Sequence, residues 1–205
     1  VRFKLDSNSR ISLSNNDGGA SNTVFGYLAG AALTTNGDNN VVIGDNAGND
    51  LTTGDQNTII GHQAGDALVG GDDNTFIGQS AGGATTAGTS MTIVGRNAGT
   101  GVLTANAVGT VLVGFGSGAA LTDGAGNVAI GYQASARMTT VAQSTAIGYQ
   151  AMNGHLDGNK NMAIGYRAMY DTDGGGSSES SADNVFIGWT SGGGAWADAL
   201  SQSNV

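Results

Sequence analysis

The repeated unit of this chain is Asn57-Thr58-Ile59-Ile60-Gly61-His62-Gln63-Ala64-Gly65, and versions of it occur ten times between residues 22 and 192. Its central glycine recurs every 17 to 19 residues, with one final spacing of 23 residues. These repeat glycines are Gly26, Gly44, Gly61, Gly78, Gly95, Gly114, Gly131, Gly148, Gly165 and Gly188. Such a period is too short for a pair of helices and matches one coil of a β-solenoid. The sequence therefore predicts an all-β, parallel β-solenoid of about ten turns.

Two columns of apolar residues precede the repeat glycines. We call the residue immediately before each glycine the isoleucine column, because most of its members are isoleucine. Large, β-branched side chains suit a pleated strand, and we expect this column to fill the core of the coil. Its members are Phe25, Ile43, Ile60, Ile77, Val94, Val113, Ile130, Ile147, Ile164 and Ile187.

The residue before the isoleucine column is also apolar in every repeat, and we call this set the mixed apolar column. Neighbouring residues of a strand point to opposite faces, so this column is predicted to face outward. An outward face without polar residues needs a second protein surface to cover it. We therefore predict that the mixed apolar column forms an interface between copies of the chain. Its members are Val24, Val42, Ile59, Phe76, Ile93, Leu112, Ala129, Ala146, Ala163 and Phe186.

The other columns predict how each coil turns and closes. The repeat glycine marks a corner that needs a positive φ or a close approach of the neighbouring backbone, and only small residues stand three positions after it. Asparagine stands four positions before seven of the glycines, as at Asn57, which predicts an amide ladder from coil to coil. We expect a second short strand in each coil, with an apolar residue seven positions after the glycine. These residues are Leu33, Leu51, Leu68, Leu121 and Met138.

The composition fits an ordered repeat protein better than an ordinary globular domain. The chain has 205 residues, 37 glycines, no proline, no cysteine and 11% charged residues. Sixteen acidic residues stand against seven basic ones without a Lys/Arg cluster, so nucleic acid is not an expected partner. No apolar run approaches the ~20 residues that cross a bilayer, so membrane insertion is not expected either. Without cysteine, neither a disulfide nor a thiolate zinc site can form.

Three regions are expected along the chain. Residues 1–21 are predicted to be an N-terminal cap or joint, residues 22–192 the solenoid of ten repeats, and residues 193–205 a C-terminal exit or cap. Between Gly131 and Gly165 the mixed apolar column shrinks to alanine, while a tyrosine follows each repeat glycine. This change predicts that volume is exchanged between those two positions.

Three copies carry a resemblance to known fibre proteins: 127–134, 144–151 and 161–168, of which the first reads Asn-Val-Ala-Ile-Gly-Tyr-Gln-Ala. They resemble the head repeats of trimeric autotransporter adhesins. Earlier copies, with Thr-x-Ile-Gly-x-x-Ala-Gly and Leu-Thr-Thr-Gly-Asp linkers, are similar to phage tail-fibre and tailspike shafts. The resemblance spans about residues 22 to 192 and implies a left-handed parallel β-roll, three of which pack about a common axis.

The resemblance also implies a function. It favours a structural fibre protein of a virion, a tail fibre or spike that attaches to the host surface without catalysis. The expected partners are two further copies of the chain, other virion fibre or baseplate proteins, and a glycan or protein of the host cell surface. Two alternatives stay open: the head of a bacterial trimeric adhesin on the cell surface, and a polysaccharide-cleaving tailspike. The turns are longer than those of adhesin heads, and no coiled-coil stalk or membrane anchor is recognised, which favours the virion fibre.

No catalytic, cofactor or metal site is predicted from the residues. His62 and His155 fall in different columns, and we interpret both as surface polar residues. Aromatic residues after the repeat glycines are expected to pack mainly between chains. Receptor binding is predicted around the irregular segment before the last repeat, because stacking does not dictate the sequence there. The candidates are Tyr170, Asp171, Asp173, Glu179, Asp183, Trp189 and Trp196.

Overall fold

The computed structural model describes residues 19–156, 158–170 and 182–193. Ten strands of three residues each lie in chain order in one parallel sheet. They are β1 (Thr23–Phe25), β2 (Val41–Ile43), β3 (Thr58–Ile60), β4 (Thr75–Ile77), β5 (Thr92–Val94), β6 (Val111–Val113), β7 (Val128–Ile130), β8 (Thr145–Ile147), β9 (Met162–Ile164) and β10 (Val185–Ile187). Every strand pairs with the next at the same repeat position, so Ile59 lies between Val42 and Phe76.

The chain is therefore an all-β, parallel β-solenoid, as the repeat predicts. The described residues form about eight turns of coil. Most of the predicted N-terminal and C-terminal caps, and the segment 171–181, lie outside the described residues. No helix in the described part of the chain is long and apolar enough to span a membrane.

The two apolar columns face the opposite way from the prediction. From β2 to β9 every residue of the mixed apolar column is 0–1% exposed within a single chain, so this column forms the core. The isoleucine column lies on the outer face of the sheet, where Ile77 and Ile130 are 36% and 37% exposed. A side chain already buried inside one coil has no surface to offer a second chain. The predicted interface is therefore wrong for the eight mixed-column residues from Val42 to Ala163. Val24 and Phe186 at the two ends are partly buried and pack against the same core.

A second set of glycines explains why the mixed apolar column lies inside. We call the residue four positions after each repeat glycine the second-glycine column, since it is glycine in seven repeats. A Cβ added to Gly82 would lie 3.1 Å from the Phe76 ring, and one added to Gly118 would lie 2.6 Å from Leu112 Cδ2. Both columns thus compete for one volume in the core.

The same volume is filled differently where the mixed apolar column is alanine. Next to Ala129, Ala146 and Ala163 the second-glycine column contains larger residues, which are 0–2% exposed. They are Ser135, Met152 and Met169. The predicted exchange of volume thus occurs, but the mixed apolar column exchanges volume with the second-glycine column and not with the residue after the repeat glycine. The tyrosines after the repeat glycines remain more than 40% exposed and do not fill the core.

The repeat glycine forms the tight corner predicted for it. Gly61 has a φ of +137°, and a Cβ added to it would lie 2.6 Å from the carbonyl oxygen of Gly78 in the next coil. Real Cβ atoms do not approach a backbone oxygen this closely, and L-residues rarely adopt this φ. Both requirements exclude any side chain from the position.

The predicted asparagine ladder is present inside the coil. The Asn57 backbone N–H donates to Asn40 Oδ1 at 2.9 Å, and the Asn74 N–H donates to Asn57 Oδ1 at 3.0 Å. Asn57 Nδ2 also donates to the carbonyl of Gly71 at 2.8 Å, on the return side of the coil. Each asparagine therefore joins successive coils and ties the strand to its return segment, which satisfies buried backbone groups.

The return segment contributes core residues but no strand. Leu51, Leu68 and Leu121 are at most 1% exposed, as predicted. The predicted second strand is wrong, because the ten strands of the one sheet are the only strands in the described part of the chain, and none of them contains these leucines. Before Leu68, Gln63 has a φ of 55° and Gly65 a φ of 51°. Such left-handed residues make the corner that leads from the strand into the return segment.

Candidate functional site

Five aromatic rings form a stacked ladder along the outside of the solenoid. Consecutive ring centroids are 5.2, 5.1, 5.3 and 6.1 Å apart, with interplanar angles of 6–14°. The rings belong to Phe115, Tyr132, Tyr149, Tyr166 and Trp189. Each follows a repeat glycine, so neighbouring rings are separated by about the 4.8 Å between strands. Their faces cover one another, and mainly ring edges are directed to solvent.

A second ladder of polar side chains runs beside the rings. Gln150 Nε2 donates to Gln133 Oε1 at 3.0 Å, and Arg167 Nε donates to Gln150 Oε1 at 2.9 Å. The Arg167 guanidinium carbon lies 5.6 Å from the Tyr166 ring centroid and 4.6 Å from that of Tyr170. The arginine is thus held by one amide and two aromatic rings.

The predicted receptor-binding residues are only partly brought together. Tyr170 contacts Arg167, and Trp189 stacks on Tyr166, so these two join one cluster. Asp183 is exposed at the corner before β10, with a φ of 57°, and the strand separates it from Trp189. The remaining candidates lie outside the described residues: Asp171, Asp173, Glu179 and Trp196.

Sequence reasoning missed Arg167, which connects the cluster. One signal was available, because the residue two positions after the repeat glycine is Gln133, Gln150 and Arg167 in three successive copies that carry tyrosine. Among the described residues Arg167 has no carboxylate partner, and its contacts are the Gln150 amide and the two rings. No side chain in residues 19–156, 158–170 and 182–193 accepts a hydrogen bond from the two terminal guanidinium nitrogens. We call Tyr166, Arg167, Tyr170 and Trp189 the arginine–aromatic cluster.

The two histidines do not lie in similar environments. His62 is exposed, whereas His155 is fully buried, so the prediction of a surface position is wrong for His155. His155 stands seven residues after Gly148 and thus occupies the core position of Leu68 in its own coil. Its Nε2 lies 3.0 Å from Asn161 Nδ2, which places it within the polar network of the core.

Burial raises the pKa of the Asp66 carboxyl, the Asp50 charge raises it further, and His62 lowers it. In residues 19–156, 158–170 and 182–193, no group of three or more His, Cys, Asp or Glu residues is placed to hold a metal ion.

A cavity of about 350 Å³ lies at the last coil. It is lined by Val185, Phe186, Ile187, Ser191 and Gly192, which are apolar or small and carry no titratable group. This lining offers no acid, base or nucleophile beyond one serine hydroxyl. The arginine–aromatic cluster, in contrast, combines a guanidinium group with aromatic rings.

Comparison with known proteins identifies no relative: no family model, curated protein or solved structure matches the chain.

Proposed function

We propose that this chain is a shaft segment of a virion fibre, a tail fibre or spike, that associates as a homotrimer and serves attachment to the host surface. One observation carries the proposal: the outer face of the sheet presents the isoleucine column as a continuous apolar stripe. Phe25 and Ile187 at its ends are 67% and 65% exposed, and the members between them are partly exposed.

The outer face of the sheet lacks the charged residues that would oppose contact with another protein surface. None of the ten strands contains a charged residue, and the outward positions beside the isoleucine column are Thr, Val or Met. A long apolar face of this kind marks an interaction surface. Each copy carries it along the same axis, so copies in parallel cover one another's faces over the full length of the sheet. Three copies follow from the resemblance to trimeric fibres, and the interface runs through the isoleucine column.

The fibre role rests on the repeat and on its surface. Successive coils contact only their neighbours, so the length of the rod increases with the number of repeats without any new type of contact. Attachment is assigned to the C-terminal part of the rod, where the outer surface changes from polar residues to the aromatic ladder. The resemblance of the repeats to tail-fibre shafts supports the virion over the bacterial cell surface.

Sedimentation velocity at micromolar concentration tests the association. The wild type is expected to sediment as a trimer, and Ile77→Asp to shift the population towards monomer, because it would bury an unpaired charge in the interface. Gln79→Asp is the matched control, since Gln79 stands two residues away on the exposed side of the same corner. A folded wild-type monomer across this concentration range would refute the proposal.

Attachment and origin need separate tests. Binding of fluorescently labelled trimer to a panel of bacterial cells measures attachment. Neighbouring genes for tail or baseplate components support the virion fibre, whereas a downstream membrane anchor in the same reading frame supports the adhesin.

A further inference from the structure

We infer that the arginine–aromatic cluster binds a carboxylated sugar residue of an acidic glycan, with the carboxylate on Arg167 and the sugar ring on Trp189. This inference rests on the proposed attachment function and names its ligand class. It goes beyond the sequence-based expectation, in which acidic residues of the irregular segment would bind sugar hydroxyls.

The first step is the fixed position of the guanidinium. Arg167 Nε is occupied by Gln150 Oε1 at 2.9 Å, and Gln150 in turn is bonded to Gln133. The Tyr166 and Tyr170 rings contact the guanidinium at 5.6 and 4.6 Å. These contacts restrict the side chain before any ligand arrives, so binding costs less conformational entropy than it would for a mobile arginine.

The second step is the charge environment of Arg167. The chain has a net charge of −9, yet Arg167 has no acidic partner among the described residues. Its two terminal nitrogens present parallel N–H donors, a geometry that matches a carboxylate in a bidentate pair. A partly buried arginine that has no acidic partner in the described part of the chain can receive an anion from a ligand.

The third step is the open aromatic face beside it. Trp189 is the last ring of the ladder and is 76% exposed, and only Tyr166 stacks on it among the ladder rings. The inner rings are covered on both faces by their neighbours, so the C–H face of a pyranose can pack against Trp189 but not against Tyr149. Tyr166 contacts both Arg167 and Trp189, so the guanidinium and the indole that would bind the sugar residue are neighbours of the same ring.

Arg96 provides a natural comparison at the opposite end of the ladder. Its guanidinium lies 5.8 Å from the Phe115 ring, but it is exposed and has neither an amide clamp nor a second ring. A general attraction between anions and basic side chains would involve both arginines. A binding site that depends on the amide and on the second ring would involve Arg167 and not Arg96.

The test measures binding of carboxylated oligosaccharides, printed beside their methyl esters, to the intact trimer. Trigalacturonate, unsulfated glucuronate oligosaccharides and sialyllactose are the probes. Wild type is expected to bind at least one acid roughly tenfold or more tightly than its ester, since a charge-assisted pair is lost in the ester. Arg167→Gln should remove this preference, Arg167→Lys should not restore it, and Arg96→Gln should leave it unchanged. Trp189→Ala should weaken binding of the same acid.

Several results would overturn the inference. Equal binding of acid and ester, no binding of any acid, or equal losses in the Arg96 and Arg167 variants would each do so. Binding of polyglutamate without any glycan would assign the cluster to an acidic peptide instead. Thermal melting of each variant, matched to wild type, confirms that the fold is intact.

The outcome is separable from that of the proposed function. Unimpaired cell attachment by Arg167→Gln, together with no acidic-glycan binding by wild type, would reject the site and keep attachment. Arg167-dependent glycan binding by a trimer that attaches to no cell would support the site and reject the attachment role.

Discussion

The coils of β2 to β6 and those of β7 to β9 share one backbone but fill it differently. In the first group, here called the N-terminal coils, a large mixed-column residue such as Phe76 faces glycine in the second-glycine column. In the second group, the C-terminal coils, alanine faces Ser135, Met152 or Met169. The sheet continues through both groups without a change in register. The solenoid therefore accepts two ways of filling the same part of its core, with the larger side chain in one column or in the other.

The core packing of the C-terminal coils has a conformational cost. Met152 and Met169 have φ values of 52° and 49°, in the left-handed region that disfavours side chains. Such a residue costs on the order of 1 kcal/mol or more relative to glycine. Buried methionine offsets this cost because it fills the space that the alanines leave. The N-terminal coils avoid the strain by placing glycine at the same corner.

The outer surfaces differ as well. Residues 19–95 contain seven aspartates and no lysine or arginine, and the position after the repeat glycine is Asp45, His62 or Gln79 in three of the N-terminal coils. The C-terminal coils carry tyrosine there, with Arg137, Lys160 and Arg167 nearby in the sequence. Function is thus expected in the C-terminal coils, where the outer position departs most from a solvated surface.

The largest effect on stability is expected when an N-terminal coil receives the core residues of a C-terminal coil. Phe76→Ala should lower the free energy of unfolding by about 3–5 kcal/mol, because it leaves a cavity. Gly82→Met alone should also destabilise, by about 1–3 kcal/mol, because its side chain would meet the Phe76 ring. The double variant should be more stable than Phe76→Ala, because the methionine fills the cavity. Calorimetry at one fixed protein concentration measures all three.

A matched double-mutant cycle in the C-terminal coils makes the reverse exchange of core residues. Met152→Gly should destabilise, and Ala146→Phe added to it should recover stability. Additive changes in both cycles would show that the two columns do not share one volume.

A smaller effect is expected from the aromatic ladder. Tyr149→Ala removes two ring stacks and should lower the free energy of unfolding by about 1–2 kcal/mol. Tyr149→Phe keeps the stacks and should stay near wild type. Gln79→Ala changes the same position in an N-terminal coil and should shift stability by less than about 0.5 kcal/mol. Equal losses in Tyr149→Ala and Gln79→Ala would show that stacking contributes nothing measurable.

Much of the fold is predictable from the sequence because a solenoid repeats its constraints. The glycine corner, the buried leucines and the asparagine ladder each recur at one position, and a recurring residue type identifies a recurring environment. It is harder to predict which face of the strand lies inside the coil. The alternation of side chains along a strand shows that Ile59 and Ile60 lie on opposite faces, but it does not show which face is in the core. The deciding signal was the joint variation of Phe76 with Gly82 and of Ala146 with Met152.

The candidate site was less predictable, for a different reason. The arginine–aromatic cluster joins Tyr166, Arg167 and Tyr170 from one coil to Trp189 from the next, across a segment of irregular length. Periodicity alone predicts which residues share a column. It does not predict that a ring five residues after the glycine folds back on the arginine.

The smallest effect is expected from pH in the acidic N-terminal coils. The pKa of Asp66 is raised by burial and by Asp50, so the folded protein binds a proton here more readily than the unfolded chain does. The ionised carboxylate therefore opposes folding at neutral pH, and this opposition disappears as the pH falls through the folded pKa. Asp66→Asn should raise the melting temperature slightly at pH 7, by little because Asp66 is only partly buried. The difference should shrink on acidification, and a lower melting temperature for Asp66→Asn at pH 7 would contradict this account.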